Sequence, residues 1–252
     1  MIGNERRKGG KGRMGGKREK RSDFNSDKPV IEWVPKTELG MAVKSGKVTT
    51  YDEILSKRLK VLEPEIVDHF FPQLNMDFFL VGQSKGKFGG GQRRIFKNTQ
   101  KKVREGSRTK FTYIAIVGNG DGYIGIGKGS SRESLAARNM AVKLAKLNFI
   151  KVIRGCGSWE CGCATPHSVP FKTEGTAGAM SVILKPAPRG TGLVMSDECK
   201  RIMTVAGIKD VWTESYGDTR SRINLAYATF NALKNALLTN IPEKFAKEWG
   251  VK

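Results

Sequence analysis

The chain has 252 residues, 45 Lys and Arg against 24 Asp and Glu, a formal charge of +21 and a hydrophobic fraction of 38%. That length allows one large domain or two modest ones, and that composition can still build a core, which argues against simple disorder. No run of about 18 apolar residues offers a membrane span, and the charged N-terminus has no apolar stretch like that of a secretory signal. So many uncompensated cations call for an anionic partner, nucleic acid first and an anionic membrane surface next. Four cysteines, three of them clustered, suit a metal site or free thiols better than a disulfide scaffold.

Residues 1–28 form a Gly/Lys/Arg tail that cannot bury enough apolar surface to offset its ordering entropy, so it is expected to be disordered until it meets a polyanion. The bland alternative is a solubilising tail. Residues 29–90 read as an arm. Glu32–Pro35 is extended by the proline. Thr50 and Glu53 match a capping box, followed by an apolar stripe of Ile54, Leu55, Leu59 and Leu62. Pro64 opens a second short helix carrying Ile66, Val67, Phe70 and Phe71, and His69 is expected to be a partly buried residue at its end. Ser84–Arg94 is a basic, glycine-rich loop, either a phosphate cradle that uses Arg93 and Arg94 or a floppy linker. It lacks the spacing of a P-loop.

The stretch Gln100–Gly129 organises residues 91–154. Lys101–Val103 and Lys110–Val117 flank the turn Arg104–Ser107, and Tyr113–Val117 and Tyr123–Ile126 flank Gly118–Gly122. The first hairpin is a basic finger with Lys101, Lys102, Arg104, Arg108 and Lys110. Lys128, Arg132 and Arg154 extend the cationic set. Ser130 is expected to cap a helix to about Asn148, with Leu135, Val142 and Leu147 and the small Ala136, Ala141 and Ala145 inward. The order is β-β-β-α, which resembles a double-stranded-RNA-binding type of domain.

Residues 155–167 hold Cys156, Cys161, Cys163 and His167 in the spacing C-x4-C-x-C-x3-H. Cys3His is a common structural zinc set, and free thiols or a redox pair are the alternatives. Cys199 stands apart and reads as a small apolar packer.

In residues 168–240, Ser168–Thr173 and Met180–Lys185 read as strands around the turn Glu174–Gly178. A shaped loop, Lys185–Val194, follows with Arg189 at its tip. Ser196 caps a helix that runs through Ala206, with Ile202, Met203 and Val205 inward, and Gly207 ends it. Val211–Thr213 is a short strand. Ser221 caps a long helix, Arg222–Leu238, whose apolar face is Ile223, Ala226, Tyr227, Phe230, Leu233 and Leu237. Residues 241–252 are a tail. No nucleophile and base stand out, so catalysis is not expected.

Five segments, EWVPKTELG, REGSRTKFTYIAIVGNGDGYIGIG, KPAPRGTGLV, MTVAGIKDVWTESYG and NLAYATFNALKN, stand in this order and span most of residues 30–240. Together they resemble the universal small-subunit ribosomal protein family S-five in its archaeal and eukaryotic form. The resemblance implies an α+β fold: a double-stranded-RNA-binding-like domain, then a two-layer β/α domain with a left-handed βαβ crossover. It implies a cytoplasmic, non-enzymatic protein of the small ribosomal subunit. Such a protein binds small-subunit rRNA at the head–body junction, lines the mRNA entry channel and influences decoding accuracy. Implied neighbours are the S-four, S-eight and S-three proteins, with Arg189, Gly190, Thr191, Gly192 and Leu193 matching the contact to S-four; no membrane or small-molecule substrate is implied. A free-standing RNA-binding protein or RNA chaperone is the competing reading.

Overall fold

The computed structural model describes residues 33–86 and 91–251. The expected tail, residues 1–28, and the centre of the glycine-rich loop lie outside the described residues. The elements in order are α1 (Glu38–Lys44), α2 (Tyr51–Ser56), α3 (Pro64–Phe70), β1 (Asn75–Phe78), β2 (Lys97–Val103), β3 (Gly106–Gly118), β4 (Tyr123–Ser131), α4 (Ser134–Leu147), β5 (Phe149–Lys151), β6 (Thr173–Ala177), β7 (Met180–Pro186), β8 (Leu193–Val194), α5 (Asp197–Ala206), β9 (Val211–Gly217), α6 (Arg222–Leu238) and α7 (Glu243–Glu248). The fold is α+β, as expected, with two separate sheets.

The first sheet has five strands where three were expected. Strand β3 is its spine. It pairs antiparallel with β4 along one side, and with β2 and then β1 along the other. β5 closes the sheet on β4. Alternation sorts the faces. Tyr113, Ala115 and Val117 stand opposite Gly129, Gly127 and Gly125, and these three glycines lie under α4. A Cβ on Gly125 would sit 2.1 Å from the Ala145 carbonyl oxygen, one on Gly127 2.2 Å from the Ala145 nitrogen, and one on Gly129 2.3 Å from the Ala137 carbonyl oxygen. The helix answers with its smallest residues, Ala137, Ala141 and Ala145, all fully buried. Ala141 and Ala145 face inward as expected, Ala137 takes the place of the exposed Ala136, and the expected large residues do not join them. Leu135 is 68% exposed and Val142 and Leu147 are only half-buried, because the glycines let the backbones come too close for large side chains. The helix start is corrected too. Ser130 and Ser131 continue β4 as partners of Thr112 and Phe111, and the N-cap is Glu133.

The opposite face of this sheet carries Ile114, Ile116, Ile124 and Ile126, which join one core with Met180, Val182, Ile202, Met203, Phe230 and Leu233 from the second half of the chain. Helix α5 is positioned there. The Gly120 and Gly122 amides donate to the carbonyls of Val205 and Ala206 at its end, and Gly207 terminates it with φ +80°. The α5 boundaries and its buried Ile202, Met203 and Val205 match expectation. So do the α6 boundaries. On α6, Leu237 proves exposed, while Ala228 and Ala232 are buried. They lie on Gly175 of β6, where a Cβ would meet the Ala232 nitrogen at 2.1 Å.

The second sheet runs β6-β7-β9-β8, with β8 parallel to β9 and the other pairs antiparallel. Its first strand is Thr173–Ala177, not Ser168–Thr173: the turn falls at Gly178, whose φ is +63°. Strand β9 continues to Gly217, beyond the expected Thr213.

The arm packs on the first sheet. Tyr51 is buried among Phe70, Phe71, Tyr123 and Phe149. Tyr123 and Lys151 bond Asp52 at 2.6 and 2.8 Å, and Lys146 bonds Asp68 at 2.6 Å. The expected capping box is not formed reciprocally. The Thr49 and Thr50 hydroxyls both donate to the Glu53 carboxylate. Helix α2 stops at Ser56, so Leu59 and Leu62 lie beyond it and are exposed. His69 is exposed as well, its ring edge-on to Phe70.

Gly127→Ala should destabilise the chain by about 3 kcal/mol, because the nearest atoms to the new methyl group are backbone and cannot rotate away. Gly162→Ala, where a Cβ would meet nothing, should change stability by less than about 0.5 kcal/mol. Urea unfolding of the two variants beside the parent checks both.

Candidate nucleic-acid interface and metal centre

The basic finger is a two-stranded ribbon. Lys97–Val103 pairs with Gly106–Thr112 around the two-residue connection Arg104-Glu105, and Gly106 there has φ +120°. Pairing of β3 with β4 begins only at Phe111, so Gly106–Lys110 extends past the sheet. At about 3.4 Å per residue the free part projects about 17 Å. The register sets its electrostatics. Lys97 faces Thr112, Thr99 faces Lys110 and Lys101 faces Arg108, and these cross-strand partners share one face. Four cations, Lys97, Lys101, Arg108 and Lys110, therefore line a single side of the ribbon. Lys102 alone points the other way, paired with Ser107. Arg108 also bonds Glu105 at 2.8 Å in an exposed pair, which offsets little charge.

The remaining expected RNA contacts fall into two groups. Arg93, Arg94, Lys101, Lys102, Arg104, Lys110, Lys128, Arg132 and Arg189 are exposed. Arg154 is not. It is 7% exposed and paired with Asp121, so its guanidinium braces the Gly118–Gly122 turn instead of facing solvent. Arg189 and Gly190 form the exposed tip of the 186–193 loop, with Thr191, Gly192 and Leu193 half-buried behind them.

The cysteine segment closes on itself as the spacing predicts. One ligand atom from each of Cys156, Cys161, Cys163 and His167 lies within 4.8 Å of all the others. His167 is oriented: its Nδ1 pairs with Asp210 Oδ2 at 2.8 Å, which leaves Nε2 3.9 Å from Cys161 Sγ. A carboxylate behind a ligating imidazole is the usual outer support of a metal site. Around a tetrahedral zinc, with Zn–S distances of about 2.3 Å, ligand atoms stand about 3.8 Å apart, so a small contraction would suffice. The other oxygen of Asp210 accepts from the Gly190 and Gly192 amides at 3.1 and 2.8 Å. On the far side the Cys156 amide donates to the Trp249 carbonyl at 2.7 Å, which ties α7 to the cluster. The thiols are not equivalent. The Thr165 hydroxyl, 3.0 Å away, holds Cys163 down to about 6, whereas burial pushes Cys156 up to about 11. Cys199 is a buried packer with Ser196 and Thr229 hydroxyls on its sulfur, and burial raises it.

Two family models match: "Ribosomal protein S5, N-terminal domain" over residues 95–153 and "Ribosomal protein S5, C-terminal domain" over residues 175–248. The Nanoarchaeum equitans protein named small ribosomal subunit protein uS5 is 49% identical over 86% of this chain and 94% of its own length. The chain belongs to the ribosomal protein S5 family. The protein of the same name from Methanocaldococcus jannaschii is 43% identical over 90% of this chain and 96% of its own, and that from Staphylothermus marinus 45% over 83% and 91%.

The ribbon of this S5-family chain lies inside the N-terminal match, and β6–β9 with α5 and α6 lie inside the C-terminal one. The four candidate metal ligands fall between the two matched ranges. Sequence reasoning missed Asp210. A lone aspartate in the segment Gly207–Trp212 carries no signal until the fold brings it to His167.

In the metal-free chain, iodoacetamide should label Cys163 first. The reactive form is the thiolate, so its rate should climb through pH about 6 and level off above about 7, while Cys156 stays a slow thiol at pH 8. Mass mapping across that range measures it. Equal rates at the two sulfurs near pH 7 would contradict the assignment.

Proposed function

We propose that this chain is a structural RNA-binding constituent of the small ribosomal subunit, working in the cytoplasm at the junction of head and body. As a member of a ribosomal protein family it is not an enzyme. The observation that carries the reading is the cationic face of the β2–β3 ribbon, held at a fixed angle by a sheet locked under α4. Lys and Arg on such a face release counterions condensed on RNA phosphates, which supplies affinity with little sequence information. A ribbon recognises an A-form helix by shape, since its deep major groove is too narrow to read. The ribbon tip is assigned to the reaching loop that lines the mRNA path. The loop Arg189–Leu193 is assigned to a neighbouring protein of the S-four family, with S-eight and S-three proteins as further neighbours.

Within this reading, residues 91–154 are the double-stranded-RNA-binding-like half and residues 168–240 the β/α half. The parallel unit β8–α5–β9 is where the left-handed crossover belongs. Cys156, Cys161, Cys163 and His167 hold a structural zinc. What supports the metal is His167, turned toward the sulfurs by a buried carboxylate. Bound there, the ion would ionise the thiols and brace a loop with little core of its own.

The subunit assignment is tested by sedimentation. The tagged chain should travel with the small subunit through a moderate salt wash; a chain found only in the free-protein fractions would favour the RNA chaperone reading. Arg104→Ala with Arg108→Ala should alter misreading while subunits still assemble, and unchanged misreading would sink the role in accuracy. Purified chain should carry about one zinc. Asp210→Asn should weaken metal affinity about 10- to 100-fold in a chelator competition; less than about 0.2 equivalents in the parent would refute the site.

A further inference from the structure

From Phe78 to Arg104 the chain contains no acidic residue and eight Lys or Arg. The fold gathers part of this segment against a distant one. Gly82 and Gln83 bond Arg94 through the backbone, and Ser84 bridges Arg93, so residues 82–84 lie antiparallel beside residues 93–94. Between it, the start of β2 and the beginning of α6 lies a cavity of about 270 Å³, lined by Arg93, Arg94, Lys97 and Arg220 among others. Among the described residues no carboxylate lines it. Arg222, also on its wall, is already neutralised by Glu198 at 2.6 Å. The other four have no acidic partner among the described residues.

A patch of cations is usually a solvated surface. This one differs in two ways. Its charges converge from segments more than a hundred residues apart on a concave space, so their mutual repulsion is built into the fold and falls when an anion enters. It is also continuous with the ribbon. Lys97 belongs both to the cavity and to the ribbon face that carries Lys101, Arg108 and Lys110. The first amides of α6 lack intrahelical partners, and Ser221 makes no side-chain cap bond there, which adds donors at the far end of the same track. Among the described residues the lining presents no free aromatic face on which a nucleobase could stack. Its aromatic ring, Phe96, is half-buried and already packed against Phe111 and Tyr113.

We propose that this cavity is a second RNA-backbone site. It takes phosphodiester groups of a strand that leaves the tip of the ribbon, follows its Lys110–Lys97 face and enters between Arg94 and Arg220. The inference rests on the RNA-binding reading above and adds a place and a path to it.

The test uses the full chain and a 24-base-pair RNA duplex as probe, with affinity measured across a salt series. The four-fold variant Arg93→Gln, Arg94→Gln, Lys97→Gln, Arg220→Gln should reduce the slope of log K against log salt by about one for each phosphate that is no longer neutralised. Arg104→Gln with Arg108→Gln, at the ribbon tip, should also reduce it. Lys234→Gln with Lys247→Gln, cations outside the track, should leave it nearly unchanged. All the substituted side chains are exposed, and among the described residues Arg108 with Glu105 is their one ion pair, so folding is retained and is checked by thermal unfolding. Asn98→Lys, which adds a charge to the cavity wall, should steepen the slope and strengthen binding. A cavity variant and Asn98→Lys that both behave like the Lys234/Lys247 control, beside a tip pair that loses slope, overturn the cavity site and leave RNA binding standing. A tip pair and cavity variant that both match the control overturn the RNA-binding reading and the inference together.

Discussion

Backbone lies directly on backbone where α4 crosses β4, and the rest of the molecule is built outward from that contact. Three glycines at alternate strand positions meet three alanines at helical spacing, and no side chain separates them. A contact this close has one register. It fixes the angle between helix and sheet and so the direction in which β3 leaves the sheet to become one strand of the ribbon. The same arrangement recurs in the second half, where Gly175 lies under Ala228 and Ala232. Between the two helix–sheet layers, the isoleucine face of the first sheet and the buried faces of α5 and α6 form one continuous core. The ribbon therefore grows from a sheet that shares its core with the second half of the chain.

Sequence reasoning reached α5 and α6 where punctuation and periodicity agree, with Ser196 and Gly207 bracketing one and Ser221 opening the other. It failed where a local signal competed with a pairing partner. Ser130-Ser131 followed by Glu133 imitates a helix cap, yet Phe111 and Thr112 extend the ladder through both serines. β1 and β5 are four and three residues long, too short for alternation to register. On α4 the buried Ala141 and Ala145 are legible in the sequence, but leucine outweighs alanine in any hydropathy reading, and only the glycines opposite reveal that Leu135, Val142 and Leu147 stand outside the closest contact. The cysteine site was legible because its ligands are local in the chain. Asp210, which orients His167 from 43 residues away, was not.

The positive charge of the chain is divided by use. Lys146, Lys151, Lys185, Arg154, Arg201 and Arg222 each meet a carboxylate from another segment and join elements of the fold. Such pairs are local and contribute little to the outward field. Among the described residues the cations of the ribbon and of the 93–97 segment are left uncompensated, apart from the weak Glu105 contact. Folding thus converts a diffuse excess of charge into a directed one, because the acids are spent where structure is needed.

The ribbon's two-residue connection and strict alternation make its reach adjustable only in steps. Two residues added to each strand would lengthen it by about 7 Å with the cations still on one side. One residue added to a strand would rotate every cation beyond it to the opposite side. Relatives whose ribbons differ in length by even numbers in each strand can thus address RNA at different depths with the same charged edge, whereas an odd insertion needs a bulge to restore it.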